Sequence, residues 1–477
     1  MGEAKKNKTK NLGIYLLSFA ASAVGIGLNF FLARVLEAEN YGKIQYLVAL
    51  ATTCSQFMLF GLSSFLIREA KNENQRGEAV NKCFSLYLAI VLFFAPIIFF
   101  VLNGYIDITA NNLIISLSVL VVAILMGLNS LIAAYNQGNG KYHLSLIFEN
   151  LLPKLLLLVT AIIFMVIAKL NTFQENYLIF YIIFYSAISI PFLLIVFKRI
   201  NFKLSKAELK SIFFFFGVTI TYSLGNNLTK VLQGGLYKND VALGIISVSI
   251  NILSLIAVFT SVLDNLVKPI FAKKKRENDI DGLLDIYRFD TRMNSYIAIP
   301  MYLFFALHPT MFLGIFGESY LLYPGILTII VAAHAISGIT GPNGTLLAMT
   351  GKEKYELFNG ILFFACYVGF VFVFSFDKIY GLSYSLLVSQ FVVNVAKYVE
   401  VWVIYKKTPL NLKTLLSLLI VIVVNFAAIF ALTYVKIGMW YWLGIGILVG
   451  IALVLCNTFI LTLYRKNDFK QLLNLKL

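Results

Sequence analysis

Charge is scarce in this chain. Asp, Glu, Lys and Arg make up 13% of its 477 residues, about half of what a soluble globular protein carries. The apolar share is 60% and the mean hydropathy +0.84, so a soluble fold is excluded. Cysteine is also rare. Cys54, Cys83, Cys366 and Cys456 lie in or beside apolar runs, with no zinc-like spacing and no pair in an outside loop. They read as small buried hydrophobes. With three histidines, no His/Cys/carboxylate cluster and no nucleophile elbow, chemistry on covalent bonds is not expected, and neither is a cofactor or metal. Negative charge is the scarcer sign, 23 acidic against 39 basic residues, for a net charge of +16.

What the chain has in abundance is long apolar runs, the mark of transmembrane helices. We place fourteen spans between residues 12 and 464 and expect an all-α polytopic membrane protein. The first run, Leu12 to Ala33, is too long for a signal-peptide core and reads as an uncleaved helix. With both termini cytoplasmic, thirty of the 39 Lys and Arg fall on the inside and six on the outside. That split satisfies the positive-inside rule and accounts for most of the net charge. Lys273-Lys274-Lys275-Arg276 is then a topology and lipid-headgroup signal, and no nucleic acid is implied. Asp279-Ile280-Asp281 reads as a solvated charge run in an inside loop, 268–294. No loop is long enough for a soluble catalytic domain.

The spans repeat. An offset of 202 aligns Tyr41-Gly42 with Leu243-Gly244, and Gln45, Thr52 and Ser63 with Ser247, Ser254 and Asn265. An offset of 211 aligns Gly140-Lys141-Tyr142 with Gly351-Lys352-Glu353. We infer two six-helix lobes, 1–206 and 207–404, followed by two extra helices and a tail, 405–477. Polar stripes mark the helices that open each lobe. Thr219, Tyr222, Ser223, Asn226, Asn227, Lys230, Gln233 and Gly234 follow one face of the seventh span, and Ser18, Ser22, Gly25 and Asn29 one face of the first. Gln56 lies on the stripe of the second span. Such stripes face protein or water, as helix glue or as a wet lumen.

A charge at a helix centre costs roughly 2.5–3.5 kcal/mol on the insertion scale. Lys154, about 15 Å into the fifth span, is the deepest. Pro153 precedes it, and Asn150 shares its face. Glu149 lies about 140° round an ideal helix from it, not an obvious partner. Lumen function and a structural ion pair both remain open for Lys154, as for Lys230. Lys397 and Glu400, three apart near the inner surface, also suit a local surface pair. Arg34 and Asp264 sit at span ends. His334, ahead of the Gly338–Gly344 glycine and proline run, carries a proton or packs as a neutral ring, and that run should break its helix. Substrate-binding candidates are Lys154, Lys230, Asn226, Asn227, Gln233, Gln56, Asn29, Arg34 and Lys397. Coupling candidates are Glu149, His334, Asp264 and Glu400.

Several short stretches then form an ordered set. They are Ala33-Arg34-Val35-Leu36-Glu37-Ala38-Glu39-Asn40-Tyr41-Gly42, Gly61-Leu62, Ile67-Arg68-Glu69, Gln137-Gly138-Asn139-Gly140-Lys141, Leu347-Ala348-Met349-Thr350-Gly351-Lys352 and Tyr380-Gly381-Leu382. Together they resemble bacterial polysaccharide flippases, the O-antigen and capsule-type (Wzx-like) transporters of the multidrug/oligosaccharidyl-lipid/polysaccharide exporter superfamily. The resemblance implies a flippase in the bacterial cytoplasmic (inner) membrane, moving undecaprenyl-diphosphate-linked oligosaccharide between leaflets. It also implies a V of two lobes around a cation-lined cavity, antiport of H+ or Na+, and action as a monomer beside a polysaccharide polymerase and a chain-length regulator. Many such proteins resemble one another in an acidic residue before the basic one of the seventh span, where this chain has Thr229-Lys230. A cation-coupled multidrug exporter of the same superfamily and a membrane polymerase are the alternatives. The scarcity of acidic residues inside the spans disfavours the first, and the short outside loops disfavour the second.

Overall fold

The computed structural model describes residues 2–69, 76–105, 112–167, 176–197, 199–408, 410–435 and 437–464. Among them the regular structure is entirely helical, and the chain divides into two compact units, Met1–Gly244 and Ile245–Leu477.

The first unit begins with α1 (Gly2–Leu59), a helical run broken at Glu37, whose φ of 62° lies in the left-handed region. Its apolar part, Leu17–Leu59, has 43 residues. At 1.5 Å per residue that is about 65 Å, enough to cross a bilayer core of about 30 Å twice. The expected first outside loop is therefore a kink between two helical legs. Gly61, at φ +76°, separates α1 from α2 (Leu62–Glu69). A Cβ there would lie 2.4 Å from the backbone nitrogen of Phe216, so only glycine permits that approach. Next come α3 (Arg76–Tyr105), α4 (Asn112–Gly138), α5 (Tyr142–Leu146), a π-helical turn at Ile147–Leu151, α6 (Leu152–Val166), α7 (Tyr177–Val196) and α8 (Lys206–Leu232). Helix α8 starts at a capping box in which Ser205 and Glu208 satisfy each other's backbone N–H. Burial pushes the Glu208 carboxyl up, but hydrogen bonds from the Ser205 N–H and hydroxyl and from Lys82 hold it below the usual range. Because α8 packs along α1 and α2, the first unit includes the helix that the span order puts at the head of the second lobe.

A reciprocal contact joins the kink of α1 to the start of α9 (Asp240–Arg276). A Cβ on Gly42 would meet the Asp240 carbonyl at 2.0 Å, and one on Gly244 would meet the Ala38 carbonyl at 2.1 Å. The two contacts exchange under the 202-residue offset read from the sequence, Gly42 matching Gly244 and Ala38 matching Asp240.

In the second unit α9 runs to Arg276 and α10 (Ile280–Leu307) follows after a tight turn, so most of the expected 268–294 loop is helix. Asp279 caps α10 by accepting the Gly282 N–H at 2.8 Å and pairs with Lys274 at 2.6 Å. The Lys274 ammonium and the Gly282 N–H hold the Asp279 carboxyl below the usual range, and Lys274 is raised in turn. Further along α10, Asp290, Thr291, Arg292, Asn294 and Ser295 are buried. Short α11 (Pro309–Gly314) leads to α12 (Gly325–Thr340) and α13 (Asn343–Met349), which meet at a 47° bend. The expected break thus occurs, at Gly341 (φ +88°) and Pro342. Tyr287 holds it, hydrogen-bonding the Thr340 carbonyl and, at 2.8 Å, Asn343 Oδ1.

Helices α14 (Glu353–Val373) and α15 (Gly381–Tyr405) are followed by the C-terminal pair, α16 (Leu412–Ala431) and α17 (Met439–Tyr464). That pair docks on α10 through polar pins. Asn425 donates to Asn457 at 3.1 Å, and Asn457 to the Tyr296 carbonyl at 3.2 Å. The Trp442 ring stacks on Phe304 at 5.3 Å. Ten described helices are long and apolar enough to cross a membrane, or eleven if the bent α12–α13 pair is one span. The count is lower than fourteen partly because the two spans of α1 are one run. Polar residues also dilute α8 and α10, such as Asn227 and Lys230 in one and Asp290 and Arg292 in the other.

Candidate functional site

The candidate residues of the first unit converge on α1. Asn29, one turn above Gly25, donates its amide to the Gly25 carbonyl at 2.9 Å. Its side-chain oxygen accepts from the Tyr41 hydroxyl at 3.1 Å and from Gln45 Nε2 at 3.0 Å. Gln45 Oε1 in turn accepts from the Lys230 ammonium at 2.9 Å. The kink at Glu37 makes this possible, because it folds the second leg of α1 back to bring Tyr41 and Gln45 beside Asn29. The partner of Lys230 is thus a neutral amide, with no ion-paired carboxylate among the described residues.

Lys154 reaches the same seam from α6. A Cβ on Gly25 would lie 3.1 Å from Lys154 Cδ and 3.2 Å from Nζ, so the lysine stem lies flat across that glycine. Its ammonium makes no hydrogen bond and no ion pair within 4 Å among the described residues. Glu149 is close enough to interact electrostatically, and its Oε1 accepts from the Ser130 hydroxyl at 3.4 Å. Glu149 lies in the π-helical turn and Lys154 in the first turn of α6, so the separation of about 140° in an ideal α-helix does not apply between them. Pro153 fits in the first turn of α6, where its missing N–H costs little. Lys154 thus lies over Gly25, one helical turn from Asn29, and Lys230 connects to Asn29 through Gln45.

Behind the seam, Tyr177, Tyr181 and Tyr185 form a buried column on α7. Tyr177 stands near Tyr41 and Tyr185 near Glu149, and the Tyr181 and Tyr185 rings stack at 5.7 Å. Sequence reasoning missed this column, although its four-residue spacing was visible.

The other candidates are dispersed. Gln233 is buried in a π-helical turn at Gln233–Tyr237, Asn227 and Gln56 are half-buried, and Arg34 is exposed near the kink. The side chains of Asn226 and Asp264 lie outside the described residues. In the second unit His334 is half-buried on α12. Lys397 does not pair with Glu400; it pairs with Glu356 of α14 at 2.7 Å, while Glu400 accepts from Asn359 at 2.6 Å. Glu356 and Asn359 were not singled out in the sequence. Their i, i+3 spacing, which matches that of Lys397 and Glu400, was the available signal. Among the described residues no group of three His, Cys, Asp or Glu suits a metal ion.

A multi-span helical chain with polar seams inside its spans defines a multi-pass membrane protein. Solved structures agree at the level of fold. The lipid II flippase MurJ in an inward closed conformation matches 95% of this chain and 100% of its own, with a TM-score of 0.71 at 12% identity. An inward-facing multidrug resistance MATE family transporter of the MOP superfamily matches 83% of this chain and 96% of its own, with a TM-score of 0.54 at 16% identity. A MOP superfamily transporter from Pyrococcus furiosus likewise matches 83% and 95%, at 0.54 and 14%. No curated protein matches the chain in sequence. A family model does: residues 31–323 match that of the polysaccharide biosynthesis proteins, and the chain belongs to that family.

Proposed function

We propose that the protein is a flippase that carries an undecaprenyl-diphosphate-linked oligosaccharide from the cytoplasmic to the outer leaflet of the bacterial inner membrane. Alternating access of the two six-helix lobes, 1–206 and 207–404, would move the cargo for synthesis of a surface polysaccharide such as O-antigen. The observation that carries this reading is the seam of Lys154 and Lys230 on α1, in which neither ammonium has an ion-paired carboxylate among the described residues. A diphosphate is a compact anion with oxygens on both phosphorus atoms, and lysine ammoniums are its natural point-charge partners. In a cleft of low dielectric their attraction is far stronger than in water, while the prenyl tail stays in lipid. Family membership supplies the polysaccharide context.

Lys154→Met tests the reading in cells and in purified protein together. Surface polysaccharide should be lost while membrane level and melting temperature stay near wild type, and Lys154→Arg should keep partial activity. Full polysaccharide with Lys154→Met would remove this lysine from the mechanism. Topology is part of the proposal, with both termini and Lys275 cytoplasmic and Asp377 outside. Reporter fusions at Lys275 and Asp377 check it.

A further inference from the structure

The lysine seam of the first unit has one carboxylate beside it. Glu149 lies in the π-helical turn Ile147–Leu151, five residues before Lys154. Two neighbouring side chains of α4 hold that turn. Asn129, 1% exposed, donates Nδ2 to the Phe148 carbonyl at 3.1 Å, and the Ser130 hydroxyl donates to Glu149 Oε1 at 3.4 Å. The second bond is longer than the usual O–H···O contact of about 2.7–2.8 Å, so the carboxylate is tethered rather than clamped.

Tethered there, Glu149 stops short of Lys154. The two charges interact electrostatically, yet no ion pair within 4 Å forms between them. Lys154 is seated independently, with its stem across Gly25 of α1. The gap between the charges is therefore set by two other helices, α4 on one side and α1 on the other. Tyr185 of α7, buried, also stands near Glu149, and a phenol brings no charge at neutral pH.

A carrier has to hold its cargo firmly enough to load and loosely enough to unload. A lysine with no carboxylate near it, in a seam of low dielectric, fails on both counts. It is a bare charge when the site is empty, and it grips a phosphate hard when the site is full. A carboxylate fixed at a short distance moderates both states.

We propose that Glu149 is the release residue of the diphosphate site, a fixed negative charge that offsets Lys154 in the empty carrier and repels phosphate in the loaded one. Ser130 sets its distance. A closer carboxylate would pair with Lys154 and exclude the cargo, and a missing one would let the cargo stay. Glu149 is a positioning residue in this scheme, acting through Lys154. The role rests on the flippase reading, whose cargo it helps to release.

The test titrates purified full-length protein with farnesyl diphosphate and measures surface polysaccharide in cells carrying the same variants. Glu149→Gln should bind the lipid tighter than wild type by about tenfold or more, yet yield less surface polysaccharide, because release slows. Glu149→Asp, which keeps the charge, should bring both values back toward wild type. Ser130→Ala lets the carboxylate approach Lys154, so affinity should fall several-fold, and adding Glu149→Gln should abolish that fall. A glutamate with a merely structural role would lower affinity and polysaccharide together in Glu149→Gln, and that result would overturn the proposal. If Glu149→Gln folds poorly, Ser130→Ala decides, and an affinity equal to wild type overturns the role. Diphosphate binding that needs Lys154 but does not tighten in Glu149→Gln removes this role and leaves the flippase reading standing. A wild type that binds no farnesyl diphosphate removes the flippase reading, and this role with it.

Discussion

The two units treat a half-buried lysine in opposite ways. In the first, Lys230 is held by an amide and Lys154 lies on a glycine, neither in an ion pair with a carboxylate among the described residues. In the second, Lys397 meets Glu356 at 2.7 Å, with Glu400 close by as surplus negative charge. The residue type is the same, so the neighbours decide the chemistry. That difference is invisible to a count of intramembrane charges, because it depends on which helices pack together.

Four outcomes would break or sharpen that contrast. The largest effect is expected from the first unit, where Lys154→Met or Lys230→Met should each cost about 2–5 kcal/mol of diphosphate binding, roughly 30-fold to several-thousand-fold. Titration of purified variants with a prenyl diphosphate measures it, and melting temperature should barely change. Lys397→Met should do the reverse, lowering stability by about 1–2 kcal/mol with less effect on diphosphate binding. That is below the 3–5 kcal/mol of a fully buried broken pair, because both partners keep some exposure. Glu356→Gln in the same chain should restore the melting temperature.

Gly25→Leu comes third. Bulk at this position pushes the Lys154 stem off α1, so diphosphate affinity should fall several-fold while the charge is kept. An affinity equal to wild type would mean that the lysine does not need its seat on α1. The smallest effect concerns the inside turn. Asp279 is depressed by Lys274, so its contribution is present above the unfolded value near 3.9 and is lost as pH falls through the lower folded value. Asp279→Asn should flatten the pH dependence of the melting temperature below about pH 5 and leave transport untouched.

Much of this was legible in the sequence. Hydropathy placed the helices, and the glycine and proline run placed the break between α12 and α13. The 202-residue offset paired Gly42 with Gly244 as repeats, although it did not show that one would lie against the Asp240 carbonyl and the other against the Ala38 carbonyl. Three features stayed hidden for physical reasons. Glu149 sits in a π-helical turn, Ile147–Leu151, and a phase count at about 100° per residue presupposes that no such turn exists. The kink at Glu37 lets Tyr41 and Gln45 fold back on Asn29, where a loop was expected. The buried run from Asp290 to Asn294 looked like cytoplasmic loop because it is polar, and its burial depends on how helices pack rather than on composition. Arg292, for example, donates to Thr414 at 3.2 Å, and Asn294 to Asp290 at 3.0 Å. The pairing of Lys397 with Glu356 was missed for a similar reason, since nearness in sequence favoured Glu400.

The central claim is that Lys154 and Lys230 on α1 hold a diphosphate. Binding of farnesyl diphosphate and farnesyl monophosphate to purified wild type, Lys154→Met and Lys230→Met tests it most directly. The account predicts that wild type prefers the diphosphate at least tenfold and that each variant loses most of that preference. Equal affinity for the two lipids in all three proteins would contradict it.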